Sequence, residues 1–159
     1  MSSATENLME AISQAAGQYH RLVVFVGPSG SGKTTILRSL AKEKDYPYVN
    51  VNLQLSQKML ELTRAQRTRQ AGKIFKDILA ATTAEVRILD NLEVLFDCGL
   101  QLEVLRLLQS CSRNHITVVS WNGNYRDGTL TYAEPGHPEF VQFKQAEAIF
   151  VTPDQQTVT

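Results

Sequence analysis

The sequence predicts an α/β protein: a five-stranded, mostly parallel sheet flanked by helices. Three observations carry that prediction. Short apolar runs alternate along the chain with segments of helical period, which is the pattern of a parallel sheet covered by its own crossover helices. The runs are apolar throughout rather than at every second residue, as in strands buried on both faces. And a glycine-rich turn, GPSGSGKTT, leaves the first run and enters the next helix. The 159 residues suffice for one domain with a real core, 1–159, in which 1–20 is an N-terminal helix and 153–159 a short tail.

Taken in order, residues 4–19 place Leu8, Ile12 and Ala15 at helical spacing. RLVVFVG is the first strand, and TTILRSLAKEK is a helix with Ile36, Leu37 and Leu40 on one face. YPYVNVNL reads as the second strand, opened by Pro47. Residues 54–82 read as helix in two pieces, the second with Ala71, Ile74, Phe75, Ile78 and Leu79 in one stripe and Arg69, Lys73 and Lys76 opposite. VRILDN is the third strand, and QLEVLRLLQSCS is a helix apolar around much of its girth. ITVVSWNG and EAIFVT are the fourth and fifth strands, with a long turn-rich loop, GNYRDGTLTYAEPGHPEF, between them.

Composition is that of an ordinary globular chain, with 43% hydrophobic and 20% charged residues. No apolar stretch is long enough to span a bilayer, and the polar start MSSATENLME is no signal peptide, so a cytoplasmic protein without membrane contact is expected. Cys98 and Cys111 lack C-x-x-C spacing and read as small buried side chains. His20, His115 and His137 form no ligand pattern. Formal net charge is zero, yet residues 1–80 hold eleven Lys/Arg against six Asp/Glu, and the second half reverses the balance. Much of that excess lies between Lys58 and Lys76. The face with Arg67, Arg69, Lys73 and Lys76 either meets DNA phosphates or is a solvated helix face, and no aromatic residue interleaves with it to stack on bases.

GPSGSGKTT fits G-x-x-x-x-G-K-[ST] and so predicts a P-loop nucleotide-binding fold. Glycines let successive N–H groups turn inward around a phosphate, and the helix N-terminus that follows adds donors and a favourable dipole. The cofactor-binding set is Gly27, Pro28, Ser29, Gly30, Ser31, Gly32, Lys33, Thr34 and Thr35. Lys33 brings a point charge to the β- and γ-phosphates. The Thr34 hydroxyl and Asp90, at the end of the third strand, form the metal set for Mg2+. No N-K-x-D guanine motif occurs, so ATP is expected over GTP. No L-S-G-G-Q signature occurs either, and the arginine-rich lid of small-molecule kinases reduces here to Arg126.

A hydrolase of this type is expected to carry a glutamate directly after the strand-end aspartate. Asn91 stands there, and Glu93 follows two residues later as the nearest carboxylate able to act on water. Asn122, after the fourth strand, either orients that water or makes the turn in WNGN. Arg126 and Arg113 are each either an arginine finger for a neighbour's nucleotide or solvated surface. Trp121 reads as packing, and Pro135-Gly136 suggests a type II turn within the Tyr132–Phe140 loop.

The phosphate loop, ILDNLEVLF, VVSWNG and LTYAEPGHPEF in that order resemble the BrxF family, the small phosphate-loop proteins of type 3 BREX phage-defence systems in bacteria and archaea. The resemblance runs from the phosphate loop to the fifth strand. It implies an ATP-binding component working beside other BREX proteins. A broader similarity is to AAA+ ATPases, with Asp90 at the strand end and Asn122 where those proteins place a polar sensor. The chain departs from them at Asn91 and in the PDQQTVT tail, too short for a helical lid domain, so an AAA+-like core without a lid is expected. The expected function is Mg-ATP binding with slow hydrolysis by Glu93, Asn122 and a neighbour's Arg126, in an oligomer that ATP assembles. The alternatives are a non-hydrolysing nucleotide-held interaction module and, more remotely, a small-molecule kinase.

Overall fold

Strand β1 (Leu22–Gly27) is buried at all six positions because it lies at the centre of the sheet, parallel to β4 (Ile116–Arg126) on one side and β7 (Ile149–Val151) on the other. The computed structural model describes residues 3–153 and 157–158. Five strands run parallel in the order β2 (Tyr48–Asn50), β3 (Val86–Asp90), β4, β1, β7. Thr157–Val158 adds an antiparallel edge, β8, to β7. Most of the tail 153–159 otherwise lies outside the described residues.

Helices α1 (Ser3–Ala15) and α2 (Lys33–Lys44) cover one face, with Leu8, Ile12, Ala15, Leu37 and Leu40 meeting Phe25, Ile88 and Val118 of the sheet. Helices α3 (Val51–Met59), α4 (Arg64–Ala80) and α5 (Val104–Cys111) cover the other. The predicted stripe on α4 is the buried one, with Ala71, Phe75, Ile78 and Leu79 inside and Ile74 at its margin. Thr63 and Gln66 start α4 with a reciprocal capping box. Arg87 is buried beneath this layer and donates to the carbonyls of Leu79 and Cys111, so one guanidinium ties down the C-terminal turns of α4 and α5.

Four expectations need correction. The second strand ends at Asn50, not Leu53, because the Asn50 side chain accepts from the Leu53 amide and caps α3 there. The long loop after the fourth strand is not a loop. β4 runs on to Arg126, turns at Asp127-Gly128, and returns as β5 (Thr129–Tyr132), which pairs with β6 (Val141–Lys144). Both turn residues have positive φ, 51° and 80°, as a two-residue hairpin requires. α5 is not apolar around its girth: Val104, Leu105 and Leu108 face in, while Arg106 and Ser110 are exposed. Cys98 is exposed rather than buried, and both cysteines are free thiols. Within the remaining loop, His137 N–H bonds the Glu134 carbonyl at 3.0 Å and Gly136 has φ 96°, the geometry of the expected type II turn.

Candidate functional site

The parallel register sets Gly27 beside Asn122 and Asn50 beside Asp90, so the carboxyl ends of four strands share one rim. That rim is where open α/β sheets bind ligands. The loop between β1 and α2 lies on it. Gly30 and Gly32 hold φ of 81° and 90°, with open space where a side chain would start. Gly32 is the N-cap of α2 and offers no side-chain acceptor, which leaves the first-turn N–H groups of α2 to an anion. Lys33 is buried, and its ammonium donates to the carbonyls of Gly27 (2.8 Å) and Pro28 (2.7 Å) and to Ser31 Oγ (3.3 Å). Burial lowers the Lys33 pKa, while the charges of Asp90 and Glu93 oppose that shift. Both carboxylates thus lie within electrostatic reach of one ammonium.

Asp90 is 2% exposed. Ser120 donates a short hydrogen bond to its Oδ1, as does the Asn91 amide at 2.9 Å. Tyr48 donates to Oδ2 at 2.5 Å, and the Thr34 hydroxyl is near enough to favour the charged carboxylate. Burial alone would raise the Asp90 pKa; the donors from Ser120, Tyr48, Thr34 and the Asn91 amide outweigh it and hold the group below its usual value. Asp90 is therefore a fixed anion. A hydroxyl and a carboxylate brought together in this way are an all-oxygen donor pair that fits Mg2+.

Glu93 begins a 3-10 turn, Glu93–Phe96. Its Oε1 accepts from Asn122 Nδ2 at 3.0 Å, and its Oε2 is buried without a partner among the described residues. Asn91, at the position where a glutamate was expected, has φ 57° and serves the turn itself. Its carbonyl accepts from the Asn52 amide at 2.9 Å, and Asn52 Oδ1 accepts from Val94 N–H at 2.8 Å. An aromatic cluster anchors the far end of the turn. Phe96 stacks on Tyr132 at 3.5 Å and meets the edge of Trp121, whose indole N–H donates to the Thr131 carbonyl. Burial, then the charges of Glu93 and Glu139, push the Tyr132 hydroxyl up to about 12. Gly123 lets β5 cross directly beside Asn122, since a Cβ there would lie 1.8 Å from the Thr131 carbonyl oxygen.

The structure brings Lys33, Thr34, Asp90, Glu93 and Asn122 together at the loop. Arg126 is not among them: it is exposed next to the hairpin turn, four residues and about 13 Å along the strand from Asn122. Arg113 lies over the Tyr19 ring at 4.6 Å. On the basic face, Arg67 is occupied as a cap, donating to the carbonyls of Met59 and Leu62 at the end of α3, and Lys73 pairs with Asp77 at 3.1 Å. Arg69 and Lys76 are exposed. Sequence reasoning missed Ser120, Tyr48 and Asn52. Each is ordinary as a residue type; strand register brings Ser120 and Tyr48 to the rim, and the first turn of α3 brings Asn52. Among the described residues no helix is long and apolar enough to cross a membrane, and no cluster of His, Cys, Asp and Glu has metal-binding geometry.

No curated protein matches the chain closely. Among solved structures, one described as "Structure of C. elegans PCH-2" is similar at 16% identity with a TM-score of 0.40, over 77% of this chain and 36% of that one. This chain spans about a third of that protein's length. Residues 23–117, more than half of the sequence and the stretch from β1 into β4, match the AAA family. With the phosphate loop, the strand-end carboxylate and the parallel sheet in place, the chain belongs to the AAA family, the ATPases associated with various cellular activities.

Proposed function

We propose that the protein binds ATP with Mg2+ and hydrolyses it slowly, acting as an ATP-dependent assembly switch in BREX phage defence in the cytoplasm. The observation that carries the catalytic part is Glu93. Its carboxylate is held by Asn122 on one oxygen and has a buried, unpartnered second oxygen, close enough to Lys33 to act on its charge. A general base needs a lone pair that no other donor has taken. In this reading the backbone of Gly27–Gly32 and Lys33 hold the phosphates, and Thr34 and Asp90 hold the metal, which when bound neutralises charge on the phosphates. Asn122 orients Glu93. ATP is preferred over GTP.

Hydrolysis is slow because Glu93 comes from the turn beyond Asn91 rather than from the strand itself, and a displacement of about 1 Å can cost on the order of 10²-fold. Arg126, too far along its hairpin to serve its own subunit, is in this reading a finger for a neighbour's nucleotide. Other BREX components are the partners that the sequence resemblance suggests, and DNA contact, if made, rests on Arg69 and Lys76 more than on the engaged Arg67 and Lys73. One specific feature favours the rival reading of a non-hydrolysing module: Asn91 is committed to turn structure and has no basic lone pair. Steady-state phosphate release, with particle mass measured with and without ATP, decides between them. Release above a Lys33→Ala background, and a larger particle with ATP, are expected. A parent indistinguishable from that background, partners included, ends the enzyme reading.

A further inference from the structure

Tyr48 lies on the edge strand of the parallel sheet, outside every segment that the phosphate-binding motif defines, yet its hydroxyl reaches the buried carboxylate of Asp90. We propose that Tyr48 is a positioning residue for the metal carboxylate, fixing the plane of Asp90 from the Oδ2 side while Ser120 and the Asn91 amide fix it from the Oδ1 side. The inference rests on the Mg-ATP reading above and goes beyond it by adding a residue that neither the motif nor the strand-end aspartate calls for.

The neighbours of the Tyr48 hydroxyl fix the direction of its proton. Arg38 Nε lies 3.4 Å from the Tyr48 oxygen, and its guanidinium sits over the Tyr48 ring at 5.5 Å from the centroid. Arginine can only donate, so the single Tyr48 proton is directed at Asp90. The chain of donors has one polarity: Arg38 to Tyr48 to Asp90. Both ends of this chain start from one helix, because Arg38 and Thr34 are four residues apart on α2 and the Thr34 hydroxyl favours the same carboxylate's charge. The register Tyr48 opposite Ile88 and Asn50 opposite Asp90 places the tyrosine one pleat below the carboxylate, on the α2 face of the sheet, where its ring packs against the cluster of Leu37, Leu40 and Ile88. Ring and hydroxyl are thus held by different neighbours, and removing the hydroxyl leaves the packing intact. An aspartate gripped on one oxygen rotates about its last torsion; gripped on both, it presents a constant edge to Thr34. Partners that orient a metal ligand in this way typically change metal affinity or activity by about 10- to 100-fold when removed.

The test separates metal coupling from nucleotide binding. ATP affinity is measured by calorimetry in EDTA and then across a Mg2+ titration, for the parent, Tyr48→Phe and Arg38→Leu. In Tyr48→Phe the Mg2+ concentration giving half of the effect should rise by about 10-fold or more, with ATP affinity in EDTA unchanged and the fold retained, the thermal midpoint falling only by the loss of one hydrogen bond. Arg38→Leu should fall between that variant and the parent, since Tyr48 keeps its proton but loses the donor that directs it. An unchanged Mg2+ midpoint in Tyr48→Phe overturns the proposal and leaves the Mg-ATP reading standing. An equal loss of affinity in EDTA also overturns it, because the hydroxyl then shapes the loop and not the metal carboxylate. A parent with no Mg2+ dependence sinks the metal reading of Thr34 and Asp90, and this inference with it.

Discussion

Two carboxylates three residues apart at the end of β3 live in opposite surroundings. Asp90 accepts hydrogen bonds from Ser120, Tyr48 and the Asn91 amide, has the Thr34 hydroxyl nearby as a further donor, and stays ionised despite its burial. Among the described residues Glu93 accepts one, from Asn122, and has a buried oxygen with nothing bonded to it. The difference separates the two tasks a nucleotide site needs. A saturated carboxylate cannot reorient, which suits a metal ligand. An undersaturated one keeps a lone pair free for a water molecule, and the protein tolerates the cost of leaving it unpaired.

The largest effect expected in this comparison strikes both sides at once. Lys33 is the ammonium whose pKa burial lowers against the opposing charges of both carboxylates. Lys33→Ala should abolish measurable ATP binding, a loss of about 100-fold or more for removing a charge-assisted contact to phosphate, with the fold intact because the loop path is set by Gly30 and Gly32. Unchanged calorimetric affinity with magnesium would falsify the phosphate-loop assignment.

Asp90→Asn comes next. Its four donors would face an amide whose NH2 group is itself a donor, so stability should fall by about 2 kcal/mol, whereas Glu93→Gln should melt within about 0.5 kcal/mol of the parent, since it removes an unpartnered charge. The pH dependence follows from the sign of the Asp90 shift. Its folded pKa lies below the ordinary 3.8, so the stabilisation is complete at neutral pH, above the unfolded value, and is lost as pH falls through the folded one. The gap in stability between parent and Asp90→Asn should therefore close in strong acid. Equal melting of the two amide variants at pH 7 would erase the contrast between the carboxylates.

Turnover sharpens the same contrast from the other side. Glu93→Gln should lower phosphate release by about tenfold or more while sparing ATP affinity. Hydrolysis equal to the parent's makes Glu93 a bystander.

Much of this was legible in the chain, for identifiable reasons. The phosphate loop is local: its glycines, lysine and threonine are consecutive, so spacing alone places them. The parallel core was legible because unbroken apolar runs such as LVVFVG fit only doubly buried strands. The β4–β5 hairpin was missed although Asp127-Gly128, flanked by Tyr125 and Leu130, is a standard two-residue turn signal; the prolines and glycine further on drew the whole stretch into one loop. Asn50 was read as strand because VNVNL alternates, and its capping role depends on a chain reversal that periodicity does not record. Ser120 and Tyr48 could not be found from sequence. Their role is fixed by the stagger of β2, β3 and β4 side by side, which is a property of the assembled sheet.

The smallest effect expected is the most diagnostic. Asn122 touches Glu93 through a single hydrogen bond, Nδ2 to Oε1, at 3.0 Å. If it acts by holding that carboxylate, Asn122→Ala leaves Glu93 in place but free to rotate, and phosphate release should fall by about fivefold, the rate equivalent of one hydrogen bond of about 1 kcal/mol. ATP affinity should not move, since Asn122 is not among the phosphate-loop residues. In a Glu93→Gln background the same substitution should cost almost nothing, because an amide has no basic lone pair to aim. The double-mutant cycle therefore gives a coupling close to the whole single-mutant effect. If Asn122→Ala slows both backgrounds equally, the two residues act independently and Asn122 contacts nucleotide or water itself. If it slows neither, Asn122 is structural, not as the turn residue that WNGN suggested but as the strand residue at which β4 leaves the parallel sheet for its hairpin.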